Sequence, residues 1–195
     1  MSEAKVCGTC TLCCELLVIK ELDKPENRVC EHQNKAEGGC RIYGRHPASC
    51  QSFRCHWLTY PAFDDSWKPD ACHFLIMQPT PQVLVACVDT EHPDAWRAEP
   101  YYSQLKQWSE ATLTARGAVL VYVGADVWAI FPEEDLLLQD KPEGALVEAG
   151  YIREGDLRRP AAMLKTADGD VRTVTGGLYR ELQPGEPAGQ TQDSL

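Results

Sequence analysis

The sequence predicts an α+β fold: a cysteine-rich, metal-stapled amino-terminal lobe packed on a small antiparallel sheet with one long helix. Three observations predict it. Eight of the ten cysteines fall within the first 55 residues. Downstream of residue 60, three pairs of apolar runs are each divided by a short turn-forming segment, and one stretch between them has helical period. At 195 residues with 44% hydrophobic composition, the chain can bury one core, or one core and a satellite unit. The division expected is a cysteine-cluster lobe over 1–60, a sheet and helix unit over 61–182 packed with the lobe as one domain, and a disordered Pro/Gly/Gln-rich tail over 183–195.

The cysteines come as Cys7-x2-Cys10-x2-Cys13-Cys14, then Cys30 and Cys40, then Cys50 and Cys55. Met1-Ser2-Glu3-Ala4-Lys5-Val6 leads straight into Cys7, leaving no room for the apolar segment of a secretory signal. No stretch approaches the roughly 20 apolar residues of a membrane span. A cytoplasmic protein is therefore expected, and in that compartment dense cysteines read as metal ligands or redox groups rather than as a disulfide framework. The formal net charge of −10 argues against a general grip on nucleic acid or anionic lipid. The acidity is uneven. Residues 1–60 carry 8 Lys+Arg against 7 Asp+Glu, and residues 61–195 carry 11 against 22.

Two-residue gaps let the sulfurs of Cys7 and Cys10, or of Cys10 and Cys13, converge on one ion, as in zinc knuckles and iron–sulfur proteins. Cys13 and Cys14 are adjacent, so their side chains diverge and serve different ions or different edges of one cluster. If residues 10–22 are helical, Cys10 lies one turn from both, with Leu16, Leu17, Ile19 and Leu22 covering the continuation; the picture is a knuckle loop at 7–10 leading into a short helix whose first turn carries ligands. Gly38-Gly39-Cys40 reads as a turn that brings backbone close to the ion. Pro47 fixes a bend before Cys50. Phe53 and Trp57 flank Cys55 and would roof the site. Eight thiolates with two divalent ions leave about −4 by simple zinc bookkeeping; Lys20, Arg28, Arg41, Arg45 and Arg54 are candidate neutralisers.

Together with Cys30-Glu31-His32, Gly39-Cys40-Arg41-Ile42-Tyr43, Arg45-His46-Pro47-x2-Cys50 and Phe53-x-Cys55-x-Trp57, this pattern resembles the CxxCxxCC cysteine-cluster family of YkgJ type. That family is described as zinc- or iron-chelating, and the bacterial flagellin lysine methylases resemble it in the same segment. The resemblance spans about residues 7–57. It departs from the family pattern where His46 stands between Arg45 and Pro47. It implies a metal site formed by Cys7, Cys10, Cys13, Cys14, Cys30, Cys40, Cys50 and Cys55, and it implies no particular reaction.

Zinc favours closed sites of four thiolates, and eight thiolates divide into two such sites. Cys7-x2-Cys10-x2-Cys13 equally reproduces the first three ligands of a ferredoxin-type run, without the Cys-Pro ending. Two zinc ions are the expectation, with iron or an iron–sulfur cluster as the alternative. A site closed by four sulfurs would be structural.

Cys87, within an apolar run, reads as a small buried hydrophobe; Cys72-His73 is left open. For each histidine, His32, His46, His56, His73 and His92, a polar surface or supporting role is expected, since eight cysteines suffice as ligands. The runs His73–Gln78 and Val83–Asp89 form a first hairpin around Pro79-Thr80-Pro81-Gln82. Tyr101, Leu105, Trp108 and Thr112 recur at helical intervals between Pro100 and Gly117. Runs 118–123 and 127–131 form a second hairpin, and 161–166 and 171–175 a third. Pro132-Glu133-Glu134-Asp135 opens a helix over 132–138. Phosphate and nucleotide signatures are missing from the sequence, and no general acid/base pair declares itself.

Three function classes remain. One is a metal-binding protein whose sheet meets a protein or small-molecule partner. Another is an iron–sulfur redox or sensor protein. The third is a protein lysine N-methylase-like enzyme, which the absence of a glycine-rich loop for S-adenosylmethionine makes the weakest. A non-enzymatic role is the expectation.

Overall fold

The computed structural model describes residues 5–34 and 36–180, so the segment expected to form a disordered tail, 183–195, lies outside the described residues. The fold is mixed α and β, with two sheets rather than the single small one expected. Among the described residues it has one helix longer than five residues. The hydrogen-bonded order is β1-β2-β3-β4-β5 in one sheet and β6-β7-β8 in the other, with β9 also on β7. The chain divides into two units, residues 1–102 with 121–125, and residues 103–120 with 126–195.

The first unit contains the cysteine segment. Its helices are short: α1 (Leu12–Leu16), α2 (Ala48–Ser52), α3 (His56–Thr59) and α4 (Pro69–Cys72). A short helix after a loop at 7–10 is the expectation and α1 is such a helix; a continuation to residue 22 does not form, since α1 stops at Leu16. Leu17 turns extended, Val18 and Ile19 are β-branched, and Ile19 forms an isolated bridge with Lys24. Strands β1 (Phe74–Thr80) and β2 (Val83–Val88) form the expected antiparallel hairpin, in register Phe74↔Val88 to Thr80↔Val83. Phe74, Leu75 and Ile76 are buried in succession, so both faces of β1 are covered at that end. α1, α3 and α4 pack there. This contact fixes α1, with Cys13 and Cys14, against β1, together with α3 and α4.

The long helix α5 (Tyr101–Thr114) begins directly after Pro100, as its period predicts. The second expected hairpin is β3 (Ala118–Val123) and β4 (Asp126–Ile130), turning at Gly124 with φ 58°. In the second unit, 132–138 forms no helix. Asp135–Leu137 is instead β5, antiparallel to β4. Leu136 and Leu138 are buried and Leu137 is not, a period of two that outweighs the acidic helix-start signal. Lys106 holds the entry, donating to Asp135 Oδ1 at 2.7 Å and to the Phe131 carbonyl at 2.6 Å. The second sheet is built on β6 (Leu146–Glu154) and β7 (Leu157–Lys165), turning at Gly155, with β8 (Val171–Thr175) and β9 (Tyr179–Arg180) antiparallel to β7. The β7–β8 pair is the third expected hairpin; β6 was not expected. Glu133 ties this sheet down, accepting from Tyr151 Oη at 2.7 Å and Arg158 at 2.6 Å.

Among the described residues no helix is long and apolar enough to cross a membrane.

Candidate metal centre

The first pair of cysteines sits on a turn. The Cys10 amide donates to the Cys7 carbonyl at 3.0 Å, and Gly8 between them has φ 56°. α1 follows, with Leu12 and Leu16 buried four residues apart on one face, while Cys13 and Cys14 occupy its middle. The Cys30 amide donates to the Cys14 carbonyl at 3.0 Å, which brings the next cysteine to the helix.

Cys40 arrives by a different device. Gln33 and Cys40 form an isolated bridge, and the Arg41 amide donates to the His32 carbonyl at 2.8 Å. Gln33 is buried and its amide donates to Thr11 Oγ1 and Glu15 Oε1, both at 2.6 Å. Gly38 closes the contact. A Cβ on it would lie 2.6 Å from Thr9 Cβ and 2.8 Å from the Thr9 carbonyl oxygen. The backbone approach expected of Gly38-Gly39 is thus made to the Cys7–Cys10 turn itself.

Pro47 stands directly before α2, which carries Cys50, and Cys55 directly before α3. Glu21 anchors α2, accepting from the Ser49 amide at 3.1 Å and its hydroxyl at 2.9 Å.

All eight of these cysteines line one cavity of about 730 Å³. Phe53 and Trp57 line it too, as expected of roofing residues. Cys72 and Cys87 do not. Cys72 is buried, its thiol donating to the Phe74 carbonyl at 3.1 Å, and burial pushes its pKa up to about 12. Cys87 is half-buried, with its thiol also pushed up to about 12 by burial. His32 and His46 reach the cavity wall; His56 is not part of it and packs edge-on against Tyr60 and Phe63. Burial lowers the His56 pKa.

Burial raises Cys7, Cys10, Cys50 and Cys55 above the ordinary thiol range. The Cys13 thiol donates to Cys14, which raises Cys13 further and holds Cys14 down at about 7. Of the cations expected to neutralise the site, Arg54 acts on Cys7. The sequence reading missed Lys24, the one buried cation among the described residues. Its ammonium donates to the carbonyls of Glu15, Leu17 and Pro25 at 2.9, 2.6 and 2.9 Å, and its charge is felt by Cys14. Lys24 thereby ends α1 and places a positive charge behind its cysteines.

The sulfurs do not close on a single point. Among the described residues no three of them lie within 4.8 Å of one another. Four thiolates on one zinc at about 2.3 Å would stand about 3.8 Å apart. The thiols thus line one cavity without three of them reaching single-ion spacing among the described residues.

No protein-family model, no curated protein and no solved structure matches this chain.

Proposed function

We propose that this chain is a metal-binding protein whose eight cysteines hold one centre of more than one ion. The observation that carries the reading is convergence: cysteines from the 7–10 turn, from α1, from positions 30 and 40, from α2 and from the start of α3 all face one cavity. Such crowding is otherwise a cost, because burial opposes ionisation of Cys7, Cys10, Cys50 and Cys55. A bound cation removes that cost by taking the thiolates as ligands. Thiolate donors select zinc, copper(I) or iron–sulfur clusters over harder ions. Two zinc ions satisfy eight thiolates with ordinary four-coordination. When bound, such ions supply the cross-links that short helices of four and five residues cannot provide.

That no three of the sulfurs lie within 4.8 Å of one another among the described residues favours a second reading, an iron–sulfur cluster. There the thiolates bind different irons and stand farther apart than on one ion. The protein would then serve electron transfer or sensing.

Elemental analysis with an ultraviolet–visible spectrum, on protein purified anaerobically without added metal, tests both. About two zinc per chain without colour supports the zinc centre, and iron with sulfide and a broad visible band supports the cluster. Less than one ion of any kind per chain refutes the proposal.

A further inference from the structure

A second group of metal-ligating side chains lies outside the cysteine cavity. His73 ends α4 in the left-handed region, at φ 60° and ψ 24°, immediately before β1. The hairpin register then sets it opposite Asp89, whose amide donates to the His73 carbonyl at 2.9 Å. The following turn folds back: the Glu91 amide donates to Asp89 Oδ1 at 3.0 Å, and the His92 amide to the Asp89 carbonyl at 2.9 Å. Both imidazoles therefore meet one carboxylate. His92 Nδ1 lies 2.9 Å from Asp89 Oδ2, and His73 Nδ1 lies 3.9 Å from the same oxygen. The two rings stack at 3.7 Å with 18° between their planes. One ligand atom from each of the three residues lies within 4.8 Å of the other two.

We propose that His73, Asp89 and His92 form a separate site for a divalent first-row transition ion of the zinc or iron class. Two imidazoles and a carboxylate are the donor set of open zinc sites and of facial-triad iron sites, which hold an ion and leave positions for an outside ligand. Bonds of about 2.1 Å bring such donors to about 3.4 Å apart. Asp89 is largely buried, whereas both imidazoles are more than a third exposed and have room to turn by that amount. The imidazoles also form part of the wall of a cavity of about 430 Å³, shared with Cys72, Pro93, Ala98 and Tyr101. That hollow is shallow and open to solvent, with a largely apolar rim beside the open positions. No cysteine ligand is involved, so the site is independent of the thiolate centre.

The test is cobalt(II) titration of the full chain, after the ions already present have been counted. The expected result is one further cobalt per chain with weak d–d bands and no sulfur-to-metal charge transfer. His92→Ala and Asp89→Ala should each weaken that uptake at least tenfold, since loss of even an outer support costs about 10–100-fold. His73→Asn, which keeps a residue tolerant of the left-handed region, should do the same without loss of fold by circular dichroism. Cobalt that enters with thiolate charge-transfer bands belongs to the cysteine centre and is scored apart. Absence of the nitrogen/oxygen-type cobalt in the wild-type chain, or uptake by the folded variants equal to that of the wild-type chain, overturns the proposal.

Discussion

Replacing Gly38 by alanine should cost far more than a strained backbone alone. Gly38 has φ 75°, and a left-handed conformation costs a non-glycine residue about 1–2 kcal/mol. The new methyl would also meet the Cα and carbonyl oxygen of Thr9 at 3.0 and 2.8 Å, backbone atoms that cannot rotate away. Overpacking of this kind costs about 1–3 kcal/mol, for a total of about 2–5 kcal/mol. Gly44 supplies the control. Its φ is 85°, yet a methyl there meets nothing within 4 Å, so Gly44→Ala should lose only the conformational share. Urea unfolding of the metal-loaded proteins measures the difference, and metal content after dialysis reads whether Cys40 has been pushed from the Cys7–Cys10 turn. Gly38→Ala should be the less stable by at least about 1 kcal/mol and should lose metal more readily. Equal stabilities for the two variants would refute the close approach.

Lys24→Met should destabilise by about 2–4 kcal/mol in the same assay, less than three charged hydrogen bonds summed, because burying the ammonium itself costs energy. Serine at Cys10, Cys13, Cys40 or Cys50 should lower bound metal by at least one ion per chain, whereas Cys87→Ser should leave metal content unchanged; metal analysis of the purified variants reads both. Burial and the bond to Glu133 raise the Tyr151 pKa, so its phenol stays protonated in the fold while unfolded tyrosine ionises near about pH 10. That stabilisation is complete below about pH 10 and is lost as pH rises beyond it; in urea unfolding followed from pH 8 to 11, the decline should be shallower in Tyr151→Phe.

The hairpins and α5 were legible because their signals are local: alternation, turn residues and a helical period within one short window. The eight ligand candidates were legible as a set through spacing, and they do share one cavity. What failed was decided by contacts distant in sequence. Where the short helix after the 7–10 turn stops was not legible: Lys24 gathers carbonyls with its ammonium from both sides of the break. The acidic run at 133–135 reads as a helix start, yet Glu133 and Asp135 are held by Tyr151, Arg158 and Lys106. β6 carries Gly150 at its centre, which masks its alternation. His73, Asp89 and His92 had a usable signal: the expected hairpin ends at His73 and Asp89, which its register sets face to face.

X-ray absorption at the edge of the bound metal, on protein as purified, addresses the thiolate centre most directly. The account predicts a first shell in which sulfur at about 2.3 Å is the majority scatterer, with a second metal atom in the next shell. A first shell of oxygen and nitrogen alone would contradict it, and the eight cysteines would then need another explanation.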